Sequence, residues 1–324
     1  MCGIVGGASN RNILPILVEG LRRLEYRGYD SAGVAYKSNG KISLVKNAGR
    51  VEDLADKLNL TKNKASIGIA HTRWATHGIP SEKNAHPHSS KNNIYVVHNG
   101  IIENHIALKE TLKKEGFKFS SQTDTEVISH LIQFYMEKGK DLDSAVISTI
   151  AKLKGAYALG ILDKNNPDTL IGVRQQSPLV IGEGFEEKFI ASDIMALSNI
   201  TNKFKFMDDG QIAILEKDQM TVTSSSGVAA KLKTQEVDSN AYTNDLKGHS
   251  HFMEKEIFEQ SDVIKDSLEG RLTKSESQEG IFGVGFEKEM KNITNIQVVA
   301  CGTSFHAGRI FEFWSHKFLG INCR

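Results

Sequence analysis

Short apolar stretches suited to strands alternate with stretches of helical period through the first two thirds of this 324-residue chain, and that alternation narrows the fold more than any single residue does. Ile4 and Val5, flanked by glycines, predict a strand, and Ile13, Leu14, Leu17, Leu21 and Leu24 then recur at helical spacing. Further strands are expected over Ala32–Tyr36, Ile42–Lys46, Ser66–His71 and Ile94–His98. A helix is expected over Asn104–Glu115. Another runs from Thr125, with Val127, Ile128, Leu131, Ile132 and Tyr135 on its inner face, and a third covers Leu142–Leu153. From Ala156 the pattern turns to β segments, Ala156–Leu162, Thr169–Val173, Lys188–Ala191 and Gln211–Glu216, punctuated by Gly and Asn. Two sheets sandwiched between helices account for this order, an α+β architecture whose strand order and pairing the pattern leaves open.

Beyond Thr223–Gly227 the composition is polar through Lys231–Lys247, which places a domain boundary near residue 240: a first domain of 1–240 and a second of 241–324. The second opens with an amphipathic helix over His251–Leu268, carrying Phe252, Ile257, Val263, Ile264 and Leu268. A loop rich in Ser, Glu and Gly leads to an apolar strand, Ile296–Ala300. It runs into Cys301-Gly302-Thr303-Ser304 and a helix with Phe305, Ile310, Phe311 and Trp314. A strand–helix unit with no partner strand cannot bury both faces, so the chain is expected to be part of a longer protein, with the remnant mobile or aggregation-prone.

Composition removes several functions. Lys+Arg 40 against Asp+Glu 39 leaves a formal charge of +1, which argues against a nucleic-acid partner or an anionic membrane surface. Lys113-Lys114 reads as a solvated helix face. There is no run of 18 apolar residues and no charged-then-apolar leader. Cys2, Cys301 and Cys323 share no repeated spacing, and the chain reads as a reduced, cytoplasmic protein with no membrane association.

Cys2 stands where removal of Met1 would make it the first residue. A terminal cysteine joins a thiol, whose thiolate is the attacking form, to an α-amine that titrates near ~7.7–8.0 and can act as the general base. The bland reading is a small buried hydrophobe, and for a lone cysteine it is the better one.

Three loops at strand ends carry more chemistry. In His71-Thr72-Arg73-Trp74-Ala75-Thr76-His77-Gly78, an arginine offers a planar fork for a carboxylate, beside shorter donors; the alternative is an exposed surface loop. His98-Asn99-Gly100 can point a side-chain amide and a backbone N–H at one oxyanion, or form a plain turn. Thr123-Asp124-Thr125-Glu126 opens a helix, so Thr123 or Asp124 caps it, or Asp124 holds a substrate ammonium group. Among 11 histidines, His86/His88 and His71/His77 are candidate metal pairs. Without finger-like Cys/His spacing or HExxH, no metal is expected. Neither a Walker A loop nor GxGxxG with an acidic partner is present, and no cofactor is expected.

Together these segments resemble the glucosamine-6-phosphate synthase family of glutamine–fructose-6-phosphate amidotransferases. The resemblance rests on Cys2–Gly6, Leu24-Glu25-Tyr26-Arg27-Gly28-Tyr29-Asp30-Ser31-Ala32-Gly33, the His71–Gly78 loop, Asn84-Ala85-His86-Pro87-His88, Val97–Gly100 and Thr123–Glu126. Ala191-Ser192-Asp193 and Lys255-Glu256-Ile257-Phe258-Glu259-Gln260 extend it across the chain. Glu25–Gly33 separates this family from the purine- and asparagine-pathway amidotransferases, the nearest rivals among enzymes. A non-catalytic sugar-phosphate sensor is the rival of another class.

The resemblance implies a four-layer αββα N-terminal-nucleophile hydrolase domain, followed by an incomplete α/β sugar-isomerase (SIS) domain. It implies Cys2 as nucleophile and Asn99 with the Gly100 N–H as oxyanion hole. Arg73 would bind the α-carboxylate of L-glutamine and Asp124 its ammonium group, with Thr76 and His77 completing the pocket and Trp74 gating ammonia. Thr303 and Ser304, at a helix N-terminus, would cradle the phosphate of fructose 6-phosphate. A homodimer through the SIS domains is implied for the longer protein, and this chain is expected to hydrolyse glutamine without making glucosamine 6-phosphate.

Overall fold

The computed structural model describes residues 2–38, 40–75, 77–237, 248–268 and 290–324, and the chain divides into two compact units, Met1–Asn244 and Asp245–Arg324. The expected boundary at 240 lies outside the described residues.

In the first unit the expected elements appear as β1 (Gly3–Ser9), α1 (Leu14–Leu24), β2 (Ser31–Ser38), β3 (Lys41–Ala48), β4 (Ile67–Arg73), β6 (Ile94–Ile102), α3 (His105–Lys114), α4 (Glu126–Glu137), α5 (Leu142–Ile150), β7 (Gly155–Asp163), β8 (Asn166–Gln175), β10 (Glu187–Ala191) and β12 (Gln211–Leu215). The structure adds α2 (Val51–Leu58), β5 (His88–Ser90), β9 (Val180–Gly184), β11 (Lys203–Phe206), β13 (Met220–Ser224) and β14 (Thr234–Glu236). The added strands are too short to show a period; α2 does show one, burying Val51, Leu54, Ala55 and Leu58.

Every strand pair in the two large sheets is antiparallel. One sheet runs β14-β11-β9-β10-β1-β4-β2-β3, the other β13-β12-β8-β7-β6-β5. Three apolar clusters fix the layering. Leu14, Leu17, Leu21, Leu54 and Leu58 from α1 and α2 bury against Val5, Val34 and Phe189 of the first sheet. Val127, Ile128, Leu131 and Val146 from α4 and α5 bury against Val96, Leu159 and Val173 of the second. Between the sheets, Ile4, Ile69 and Ile190 meet Val97, Ala158 and Leu170. The result is four layers, αββα, with the central strands such as β1 and β4 buried on both faces, and these strands accordingly read as apolar runs.

This layering positions the site. β1 lies inside its sheet, between β10 and β4, so Cys2 enters beside the end of β4, where Gly3 pairs with Thr72. β6, in the facing sheet, brings Asn99 and Gly100 to the same end.

The second unit contains α6 (Phe252–Leu268), β15 (Asn295–Ile296), α7 (Gly302–Trp314) and β16 (Asn322–Cys323). The strand expected over Ile296–Ala300 is shorter than its apolar run, and it does have a partner: β15 pairs in parallel with β16 across α7. Only the first residues of the run find backbone partners there, with Val298 N–H donating to Arg324 O at 2.7 Å, and Val299 is left exposed. Phe305, Phe311 and Trp314 of α7 are exposed as well.

Candidate active site

At the shared end of the two sheets, Cys2, Arg73, Trp74, His86, His98, Gly100, Thr123, Asp124 and Thr125 line one cleft with about 20 Å³ of open space. That is room for about one water molecule. The Cys2 sulfur accepts a hydrogen bond from the Trp74 N–H at 3.3 Å and lies 3.6 Å from the Trp74 carbonyl. Burial pushes the thiol above its ordinary value, against the opposing pull of the Trp74 backbone contact and the Arg73 charge.

Asn99 and Gly100 continue β6 past His98. Asn99 donates from Nδ2 to the Cys2 carbonyl at 3.0 Å. Gly100 sits at φ +122°, and a Cβ there would collide with the Ala156 carbonyl of the paired strand, so the position needs glycine twice over. Of the two, Gly100 lines the cleft.

Arg73, the last residue of β4, is almost fully buried. Its fork bonds the carbonyls of its own loop: His77, Gly78 at 3.3 Å and Ile79 at 3.5 Å. The His77 ring lies 5.3 Å from that of His105. Trp74 is half exposed and meets Tyr29 edge-on at 6.4 Å. Thr76 lies outside the described residues. Asp124 accepts from the Ile102 N–H at 2.8 Å, which ties the start of α4 to the end of β6. Thr303 and Ser304 lie in the second unit, in the first turn of α7.

Four histidines, His71, His86, His88 and His98, are buried together at the cleft, and His86 and His98 line it. The His71 and His86 rings are 4.1 Å apart, and those of His86 and His88 are 4.9 Å apart. Thr125 Oγ1 bridges His98 Nδ1 at 2.9 Å and His86 Nε2 at 3.2 Å, and Thr123 Oγ1 meets His88 Nε2 at 3.0 Å. Burial lowers all four, His71 to about 3, so the cluster is neutral at physiological pH. Of the pairs weighed as metal ligands, His86 and His88 bond the hydroxyls of Thr125 and Thr123, whereas His71 meets the His98 carbonyl and Asn99 Oδ1 and the His77 ring packs on His105. Among the described residues, no group of three or more His, Cys, Asp or Glu is placed to hold a metal ion.

Sequence reasoning assigned no role to Asp30 or Ser192. Asp30 accepts from the Ala75 N–H, and its own N–H donates to the Arg73 carbonyl at 3.1 Å, bracing the loop around Trp74. Ser192 Oγ accepts from the Ile4 N–H at 3.0 Å and anchors the start of β1. Both lie in segments that carried the resemblance, Glu25–Gly33 and Ala191–Asp193; the local pattern gave no sign of what they touch.

A family model described as a glutamine amidotransferase domain matches residues 54–238. The glutamine–fructose-6-phosphate aminotransferases [isomerizing] of Acinetobacter baylyi and Pseudomonas putida are 47% and 45% identical over the whole chain, which covers 52% and 53% of them. The chain thus spans about half the length of the curated relatives it matches. Among solved structures, a glutamine phosphoribosylpyrophosphate amidotransferase from B. subtilis, complexed with ADP and GMP, aligns with TM-score 0.61 and 26% identity. The match covers 69% of this chain and 49% of that one. A second, titled as the allosteric regulatory enzyme of purine biosynthesis, aligns with TM-score 0.61 and 28% identity over the same shares.

Proposed function

From the premise that the chain belongs to the glutamine amidotransferase domain family, we propose that its first unit hydrolyses L-glutamine through a thioester on Cys2. The observation that carries this reading is the approach of Asn99 and Gly100, from one sheet, to Cys2, at the head of the other, with the amide nitrogen of Asn99 3.0 Å from the Cys2 carbonyl. Once Met1 is removed, the free amine of Cys2 takes the thiol proton. The thiolate attacks the side-chain amide carbon, and the oxyanion is held by Asn99 Nδ2 and the Gly100 N–H. The carbon–nitrogen bond then breaks, nitrogen leaves as ammonia with the transferred proton, and water releases glutamate from the sulfur.

Arg73 binds the substrate α-carboxylate and Asp124 its ammonium group, with Thr76, His77 and Trp74 around them. Because the Arg73 fork bonds loop carbonyls and the cleft has the space of about one water, glutamine enters by displacing the loop over Arg73; its carboxylate replaces those carbonyls with a stronger, two-pronged partner.

In the longer protein, the ammonia is delivered to fructose 6-phosphate and gives glucosamine 6-phosphate. The second unit is the start of an α/β SIS domain, with Thr303 and Ser304 as its phosphate cradle and a homodimer formed through these domains. The protein works in the cytoplasm. The identity to two fructose-6-phosphate enzymes favours this acceptor, and the likeness to the phosphoribosylpyrophosphate enzyme supplies the alternative. Supplying the full-length protein with each acceptor decides between them. For the glutaminase itself, glutamate release by Met1-free chain that is lost in Cys2→Ala supports the proposal, and release that survives the substitution refutes it.

A further inference from the structure

We propose that His71 is a positioning residue that sets which end of the Asn99 amide faces the reacting carbon. The proposal deepens the glutaminase reading and rests on it. Two backbone carbonyls make the argument, because a carbonyl can only accept. His71 Nε2 lies 3.0 Å from the His98 carbonyl and 3.0 Å from Asn99 Oδ1. The His98 carbonyl requires Nε2 to carry the ring proton, so the same N–H faces the side-chain oxygen of Asn99. At the other end of that amide, Nδ2 lies 3.0 Å from the Cys2 carbonyl. Turning the amide over would set its NH2 against the His71 N–H and its oxygen against the Cys2 carbonyl. The orientation is therefore locked from both sides, with the donor end toward Cys2.

The lock matters because the two ends of the amide have opposite effects on a developing oxyanion. The NH2 end stabilises it, and the oxygen end repels it. His71 is fully buried, and its other ring nitrogen, Nδ1, has no hydrogen-bond partner among the described residues. An orphaned buried acceptor is a cost. The ring keeps its place for what Nε2 does.

The test compares His71→Gln with His71→Asn. The glutamine amide reaches the place of the imidazole Nε2, whereas the asparagine amide reaches only that of Nδ1. For glutamate release, His71→Asn should lower kcat roughly ten- to a hundredfold, less than outright loss of an oxyanion donor, with KM nearly unchanged. Inhibition by glutamate γ-semialdehyde, whose thiohemiacetal oxygen occupies the oxyanion position, should weaken in parallel. His71→Gln should recover most of both losses. Equal activity of the two variants, or a loss confined to KM with aldehyde inhibition intact, overturns the proposal. The unmutated protein gives an independent reading: ¹⁵N chemical shifts should show the His71 proton on Nε2, and a proton on Nδ1 overturns the assignment whether or not either variant folds. If Met1-free wild-type chain releases no glutamate at all, the glutaminase reading itself has failed.

Discussion

The two units of this chain use apolar sequence in opposite ways. In the first, Phe189, Phe204 and Leu and Ile side chains such as Leu17, Leu54, Ile69 and Ile190 are buried between or beneath the sheets, and the polar residues of the cleft are held by hydrogen-bond partners. In the second, α6 leaves Ile257, Phe258, Val263 and Ile264 exposed, and α7 leaves Phe305, Phe311 and Trp314 exposed. Among the described residues its sheet is one parallel pair of two-residue strands. A chain must bury enough apolar surface to offset the entropy of ordering it, and a two-strand pair does not do this alone. The difference teaches where chemistry can be placed: side chains can be fixed for catalysis only where the surrounding layers are closed.

The largest expected effect is at Cys2. Cys2→Ala should abolish glutamate release while leaving the melting transition of the first unit in place, because the thiol accepts one weak bond from Trp74 and supports no layer. Residual release above background would move the nucleophile elsewhere. Next comes Arg73→Lys, which keeps the charge but removes the fork. Glutamine binding should weaken by ~1.5–3 kcal/mol, roughly ten- to a hundredfold in KM. An unchanged KM would leave Arg73 as a brace for its own loop and nothing more.

Acid should act on the first unit through its buried histidines. His71, His86, His88 and His98 are lowered by burial, His71 to about 3, while unfolded histidine titrates near ~6.5. Below that value the unfolded chain takes up protons that the folded one refuses. Stability is therefore fully present above about pH 6.5 and is lost as pH falls toward the folded-state values, by up to about 1.4 kcal/mol per pH unit for each histidine. Urea midpoints at pH 7.5, 6 and 5 should fall steeply, and a flat profile would show that the cluster is not held neutral. The smallest effect is expected from removing residues 245–324: glutamate release and the melting transition should be unchanged within error. A large loss of either would break the contrast between the units.

The first unit was more legible than the second for a physical reason. Strands buried on both faces write their positions as apolar runs, so β1, β4, β6, β7 and β12 stood out, and helices with one buried stripe, such as α1 and α4, announced their period. Strands β9, β11 and β14, of three to five residues, gave no period to read. Motif chemistry pointed to Cys2, Arg73, Asn99, Gly100 and Asp124, and the structure gathers Cys2, Arg73, Gly100 and Asp124 around one cleft with Asn99 bonded to Cys2. It did not reveal the braces. His71 bonds Asn99 across 28 positions and Ser192 holds Ile4 across 188, pairings that no local spacing encodes. In the second unit the apolar run at Ile296–Ala300 was misread as a full strand, since apolarity marks burial only where a partner surface exists.

The most direct test is whether Cys2, freed of Met1, carries the substrate. Quenching the enzyme with acid during glutamine turnover and reading the intact mass and its N-terminal peptide would show this. The predicted result is a γ-glutamyl thioester on Cys2 of chains lacking Met1, and no adduct on Cys301 or Cys323. Full glutamate release by chains that all retain Met1, or an adduct on any other residue, would contradict it.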